Sequence, residues 1–270
     1  MTDPLDALRE PVVLITPDPR FAAALRARLE RAVIRGDEMS ATQTTAGHVG
    51  YASVWLPDIE RAETFYRAVL GWSFAPGSIE HGRQIEDVRP RMGMAGGVEH
   101  SSLFLAHAVP DVRAAVRRIH AAGGQADEPV QQPYGLISDC VDDQGLRFSV
   151  YEGAADVPAQ SRPGELVYIT VEVPDTARFR AFYGAVFGWT FTPGRINDGW
   201  GVNEARPMMG VHRAGDRPTI LPMYQVTDIQ DAVGRVRRAG GTAVDPAQRP
   251  YGLESLCSDD QGSRFYLGQF

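Results

Sequence analysis

Cysteine is nearly absent from this chain. Two occur in 270 residues, Cys140 and Cys257. That supply is too small for a disulfide-dense secreted scaffold and fits a reducing cytoplasm. A basic excess is also missing. The 27 basic side chains are outnumbered by 34 acidic ones, leaving a net charge of −7 and a pI near 5.4. This argues against a nucleic-acid partner or an anionic membrane surface, either of which favours a basic face. No apolar run approaches the roughly 18 residues of a membrane span. The start, Met1-Thr2-Asp3-Pro4-Leu5-Asp6, has no basic segment leading into an apolar one, so it does not read as a secretory signal. The expectation is a cytoplasmic protein that works on small molecules.

What the chain does contain is itself, twice. Tyr51-Ala52-Ser53-Val54-Trp55-Leu56-Pro57-Asp58 is answered by Tyr168-Ile169-Thr170-Val171-Glu172-Val173-Pro174-Asp175, an offset of 168 − 51 = 117. The same offset relates Phe65-Tyr66 to Phe182-Tyr183 and Gly71-Trp72 to Gly188-Trp189. It also relates Pro133-Tyr134-Gly135-Leu136 to Pro250-Tyr251-Gly252-Leu253, and Asp142-Asp143-Gln144-Gly145 to Asp259-Asp260-Gln261-Gly262. A period this long is a whole domain rather than a solenoid unit. The two cysteines obey the offset too, and read as one small apolar strand position used twice rather than as a redox pair.

Residues 1–47 lie outside the repeat. Phe21, Ala24, Leu25, Leu29, Ala32 and Val33 recur at helical spacing, with Asp18 as a cap and Pro19 in the first turn. The expectation is a helical extension packed on the first domain, which spans 48–152. A Pro- and Ser-bearing linker from Gly153 to Gly164 leads to a second domain at 165–270. Within each repeat one pattern occurs twice. Val49 to Leu56 alternates as a strand, Asp58 caps a helix running to Leu70, and Gly71 ends it. Short strands follow near Ser73, Gln84 and Met92. A strand over Ser102–Val109, a helix over Val112–Ala122 stopped by Gly123-Gly124, and strands near Ala126, Leu136 and Phe148 complete the set. Asp142 to Gly145 forms the last hairpin turn. Each repeat is thus two βαβββ modules, and the fold class is α+β.

Paired βαβββ modules with these signposts resemble the vicinal oxygen chelate superfamily, which includes glyoxalase I, extradiol dioxygenases and bleomycin-binding proteins. The carrying residues are Pro57-Asp58, Phe65-Tyr66 and Gly71-Trp72, their copies at Pro174-Asp175, Phe182-Tyr183 and Gly188-Trp189, and the two Asp-Asp-Gln-Gly turns. The resemblance covers residues 48–270. It implies eight strands per repeat curled into an open cup, and a fusion that replaces a homodimer, so that the chain is a monomer or a weak homodimer. It also implies where a catalytic metal would be held. The positions are Tyr51 and Tyr168 on the first strand, Phe104 and Leu221 on the fifth, and Ser149 and Tyr266 on the last. A fourth lies on the strand around Met92 and Met209. None of the six is His, Glu or a neutral amide, and a metal needs three or more strong donors. The expectation is a site with no metal and no cofactor.

Six histidines, His48, His81, His100, His107, His120 and His212, are scattered and read as surface residues; His107 has the wrong strand parity to share a cup with Phe104. Glu86, Glu172 and Glu204 are lone carboxylates. The Arg117-Arg118 and Arg237-Arg238 pairs read as solvated helix faces. Strand parity leaves Tyr51, Ser53, Trp55, Phe104, Ser149 and Tyr151 facing the first cup. Tyr168, Thr170, Glu172, Leu221, Met223, Gln225 and Tyr266 face the second. Aromatic walls with a few hydroxyls suit a flat, mostly apolar ligand, although the same side chains could simply close each cup as core. The leading expectation is a metal-independent small-molecule binding protein for a natural product or its intermediate. The alternatives are a cofactor-free enzyme of secondary metabolism using Tyr51 or Tyr168 with Glu172 for acid–base work, and a metal-dependent lyase or dioxygenase.

Overall fold

The computed structural model describes residues 46–156 and 160–270. The helix expected near Phe21–Val33 lies outside the described residues. The first repeat is ordered β1 (Val49–Trp55), α1 (Ile59–Leu70), β2 (Phe74–Pro76), β3 (Gly82–Ile85), β4 (Arg91–Ala95), β5 (Ser102–Val109), α2 (Val112–Ala121), β6 (Gln125–Ala126), β7 (Val130–Gln132), β8 (Gly135–Val141) and β9 (Arg147–Glu152). The second runs β10 (Leu166–Val173), α3 (Thr176–Phe187), β11 (Phe191–Pro193), β12 (Gly199–Val202), β13 (Met208–Arg213), β14 (Thr219–Gln225), α4 (Ile229–Arg238), β15 (Thr242–Ala243), β16 (Ala247–Arg249), β17 (Gly252–Ser258) and β18 (Arg264–Gln269). Each repeat makes one nine-stranded sheet, not eight-stranded. The order is β2-β3-β4-β1-β5-β9-β8-β6 with β7 on β8, and the second sheet repeats it strand for strand. The extra strand, Val130-Gln131-Gln132, carries no alternation of apolar and polar residues, so periodicity does not reveal it. No described helix is long and apolar enough to cross a membrane.

The helices form where the sequence signals them. Asp58, Asp111, Asp175 and Asp228 are extended N-caps whose carboxylates accept backbone N–H groups of the first turn. Gly71 and Gly188 end α1 and α3 in the left-handed region, at φ 73° and 75°. Each helix then buries one face. For α1 that face is Ile59, Ala62, Phe65, Tyr66 and Val69; for α3 it is Phe179, Phe182, Tyr183, Val186 and Phe187.

What covers those faces is the other repeat. Helix α1 packs against α4, and α2 against α3. Phe65 meets Phe265, Tyr66 meets Tyr224, and Phe148 meets Phe182 and Tyr183 as edge or tilted aromatic pairs. The second glycine of each Gly-Gly pair has a role beyond ending a helix. A Cβ on Gly124 would lie 2.8 Å from the Phe182 ring, and one on Gly241 would lie 2.9 Å from the Phe65 ring. Only glycine lets the two repeats approach this closely.

The Asp-Asp-Gln-Gly turns fasten the packing from both sides. Gln144 donates to the Asp175 carbonyl (2.9 Å) and accepts from the Asp175 N–H (3.0 Å). Gln261 does the same to Asp58 (2.8 and 2.7 Å). Arg178 binds Asp143, and Arg61 binds Asp260 at 2.9 Å. Tyr66 donates to Asp259 at 3.2 Å. Arg118 donates to the Val186 carbonyl at the end of α3, and Arg235 to the Val69 carbonyl at the end of α1. Arg118 is therefore a bridge between repeats rather than part of a solvated face. The chain contains no lysine, so every one of these cationic contacts is a planar guanidinium fork.

Two histidines read as surface residues are buried at this junction. His107 is 3% exposed and His48 is 7% exposed. His107 points away from the cup, as parity requires, and lies among Phe148, Phe187 and Trp189, with Nδ1 2.8 Å from the Gly47 carbonyl. Parity gives the face of a strand but not what covers that face, and here the second repeat does. A void of about 10 Å³ beside His107 and Trp189 belongs to this core. It has room for no more than a single water.

Two tests follow from this packing. Gln144→Ala or Gln261→Ala removes two bonds to the other repeat and should lower unfolding stability by about 1–2 kcal/mol in urea titration. A loss below about 0.3 kcal/mol for both would show that the aromatic packing alone joins the repeats. Burial lowers the His107 pKa from 6.5 to about 4. The unfolded chain therefore takes up a proton at a pH where the folded chain does not. Stability should be full above pH 6.5 and fall as pH drops toward 4, by roughly 3 kcal/mol at most from this group. His107→Tyr, which installs the residue found at the matching Tyr224, should flatten that fall; an unchanged profile would place the acid sensitivity elsewhere.

Candidate functional site

The cups lie on the sheet faces opposite the helices. In the first repeat β1 runs parallel to β4 and antiparallel to β5, and β5 runs parallel to β9. This brings Tyr51, Ser53 and Trp55 beside Phe104 and Ala106, and Ala106 beside Ser149. A register shift between Val49 and Tyr51, repeated between Leu166 and Tyr168, precedes each leading tyrosine. Such a bulge turns the following side chain relative to the strand.

Both tyrosines lie across the sheet over a glycine of the neighbouring strand. A Cβ on Gly93 of β4 would overlap the Tyr51 hydroxyl, and a Cβ on Gly210 of β13 would overlap the Tyr168 hydroxyl. The phenol therefore occupies the space that a side chain from the fourth candidate strand would need. Burial pushes the pKa of both phenols up, with a nearby Ser53 partly opposing this for Tyr51. Both are neutral hydrogen-bond donors at neutral pH.

The walls of the two cups differ. In the first, Trp55 and Phe104 stack at 5.1 Å with planes 10° apart. Ser149 is fully buried and donates a short hydrogen bond to Asp139 on β8. Tyr151 is half-buried, and its hydroxyl donates to the Ala154 carbonyl at 3.2 Å. In the second, Glu172 replaces Trp55. It pairs with Arg264 at 2.6 Å and has His212 Nε2 at 3.8 Å. Glu254 on β17 pairs with Arg249 at 2.7 Å and accepts a short hydrogen bond from Tyr251. Tyr266 lies near both carboxylates. Burial first, then Glu254 and Glu172, push its pKa up. Leu221 and Met223 are buried, whereas Thr170 and Gln225 are half-buried.

Strand parity thus brings Tyr51, Ser53, Trp55, Phe104, Ser149 and Tyr151 onto one surface and Tyr168, Thr170, Glu172, Leu221, Met223, Gln225 and Tyr266 onto another. Ser53, Ser149, Leu221 and Met223 are closed to solvent, so they offer a ligand little direct surface. Sequence reasoning missed Asp139, Glu254, Arg249, Arg264 and Tyr251. The pairing of β8 with β9 sets Asp139 directly opposite Ser149, and applying the same parity rule to the eighth strand of each sheet would have found Asp139 and Glu254. The cysteines are buried and their pKa values are pushed up to about 11, so both are unreactive thiols at neutral pH.

The resemblance to the vicinal oxygen chelate superfamily would give a metal donors at Tyr51, Phe104 and Ser149, or at Tyr168, Leu221 and Tyr266. Phe and Leu donate nothing, and neutral phenols and a serine are weak ligands without stronger ones beside them. Among the described residues, no three His, Cys, Asp or Glu side chains converge as a metal ion requires. The donor set does not fit the ion.

Comparison with known proteins agrees with the fold. Residues 53–151 and 168–268 each match the glyoxalase-like domain family. The anthracycline biosynthesis protein DauV of Streptomyces sp. (strain C5) is 32% identical over 168 residues. The match covers 58% of this chain and 58% of that protein, so the chain spans little more than half of that relative. Among solved structures, the Mn(II)-bound glyoxalase from Novosphingobium aromaticivorans superposes with a TM-score of 0.66 at 15% identity, over 83% of this chain and 82% of that one. The 2,3-dioxygenase LapB from Pseudomonas sp. KL28 gives 0.66 at 13% identity, over 84% and 93%. At such identities the likeness is one of fold. With both repeats matched and the sheet order repeated in each, the chain belongs to the glyoxalase-like domain family of the vicinal oxygen chelate superfamily.

Proposed function

We propose that this protein binds a flat, largely apolar small molecule of secondary metabolism in a cup, without a metal ion. The observation that carries the reading is the phenol of Tyr51 over Gly93, repeated by Tyr168 over Gly210. Each fills the corner where a metal would need a donor and leaves a neutral hydroxyl facing the cup. Half-buried aromatic walls around it supply stacking area, and one or two oriented hydroxyls supply direction. The similarity to a protein of anthracycline biosynthesis supports a fused-ring ligand. The remaining parts of the reading are a cytoplasmic location and a monomer or weak homodimer.

Elemental analysis of protein purified without chelator, combined with fluorescence titration of 1,8-dihydroxyanthraquinone, tests this. Less than a tenth of an equivalent of Mn, Fe, Ni or Zn is expected, on the order of a contaminant. The affinity for the quinone should be the same with and without EDTA. About one metal per chain together with chelator-sensitive binding would contradict the reading.

A second reading, a cofactor-free acid–base enzyme, is favoured by one observation. Glu172 lies on the same sheet face as Tyr168 and Tyr266, with His212 at 3.8 Å. A carboxylate beside phenols can move a proton between carbon and oxygen of a bound ring. It requires turnover that Glu172→Gln abolishes while binding persists.

A further inference from the structure

We infer that the ligand of the reading above occupies the first cup alone, held at the rim by Tyr134, and that the second cup is closed by its own charged side chains. The inference rests on that reading and names the working site within it. The two repeats serve as controls for each other, because one scaffold carries both cups and only the side chains differ.

Both repeats place a tyrosine at the same tight turn, between β7 and β8 as Pro133-Tyr134-Gly135-Leu136 and between β16 and β17 as Pro250-Tyr251-Gly252-Leu253. Gly135 and Gly252 adopt φ of 130° and 139°, and a Cβ on either would run into the carbonyl of Glu152 or Gln269 at the end of the last strand. The turn is therefore pressed onto that strand, which fixes where its tyrosine stands. In the second repeat Tyr251 is committed. Its hydroxyl donates to Glu254, its ring is 6.2 Å from Phe270, and Glu254 is further tied to Arg249. Glu172 on the same face is tied to Arg264. A ligand entering there must part each pair and leave a half-buried carboxylate without its partner, which is costly.

The first repeat has none of these ties at the matching positions. Glu254 corresponds to Ile137, Arg249 to Gln132, and Glu172 to Trp55. Tyr134 is 65% exposed, against 48% for Tyr251, and its hydroxyl has no hydrogen-bond partner among the described residues. The same sheet face carries the stacked Trp55 and Phe104, both half-buried, and the Tyr51 phenol, on which Tyr134 acts as an electrostatic neighbour. Aromatic area left partly uncovered gains from the burial that a flat ligand brings. The bulge residue also differs. Gly50 allows the Tyr151 ring to lie across the first strand, whereas the second repeat has Val167 there and Gly268 in place of Tyr151. The first cup thus gains an aromatic side chain at this position, while the second carries Tyr266 where the first has Ser149.

Isothermal titration of the full chain with 1,8-dihydroxyanthraquinone tests the assignment. One ligand per chain is expected. Tyr134→Ala should raise Kd by about tenfold or more, and Tyr134→Phe should stay within about twofold of the unaltered protein, because stacking rather than the hydroxyl does the holding. Tyr251→Ala should leave Kd unchanged. Tyr134 is exposed, so a thermal melt of each variant should match the parent. Two ligands per chain, a silent Tyr134→Ala, or equal losses at Tyr134 and Tyr251 would overturn the assignment while leaving the function intact. No binding at all would overturn both.

Discussion

The helix faces of the two repeats cannot be left in water, and each repeat is the cover for the other. That reciprocal burial is the constraint on which the rest of the molecule depends. Phe65, Tyr66, Phe182 and Tyr183 sit at its centre, Gly124 and Gly241 set the closest approach, and Gln144 and Gln261 lock its two ends. The clasp works because its donors and acceptors are backbone groups at helix starts. Asp58 and Asp175 each cap a helix with the side chain and present the main chain to a glutamine of the other repeat. Helix capping and inter-repeat contact are thus one device.

Covering the helix faces leaves the cup faces free. A sheet whose other side is packed can change the residues on its open side at little cost to folding. The two cups record that freedom. At one position the chain carries Trp55 in one repeat and Glu172 in the other, and at another Ser149 and Tyr266, without disturbing the sheet. One feature does not vary. In both cups a tyrosine lies over a glycine of the neighbouring strand, and burial keeps its phenol protonated. The fold is shared with a Mn(II)-bound glyoxalase, while the open faces here carry phenols, aromatic rings and, in the second repeat, paired carboxylates.

The repeat, the βαβββ modules and the helix caps were legible because they depend on local signals: an offset of 117, Asp before each helix, Gly after α1 and α3. The strand Val130–Gln132 was not, because it is short and polar and owes its pairing to β8. The Asp-Asp-Gln-Gly motif signals a hairpin turn, and it forms one. Its second role needs Asp175 and Asp58, which no local window contains. His107 and Arg118 are not legible for the same reason: Phe187 and Trp189, which cover the imidazole, and the Val186 carbonyl that Arg118 binds belong to the other repeat. In the cups, parity identifies the residues on the first, fifth and last strands, and Asp139 and Glu254 come from the eighth strand of each sheet, which pairs with the last.

If reciprocal burial makes the molecule, neither sheet can unfold without exposing the helices of the other. Trp72 and Trp189 report on the two halves of that contact. Trp72 donates to the Gly164 carbonyl at the entry to the second repeat, and Trp189 packs against Gly47 and His107 at the entry to the first. Labelling with 5-fluorotryptophan and following both resonances by fluorine NMR through one urea titration tests the claim most directly. The account predicts that native Trp72 and Trp189 signals vanish together, with one midpoint and one slope. Separate midpoints, with one signal still native after the other has gone, would show two independent domains joined by a linker and would contradict it.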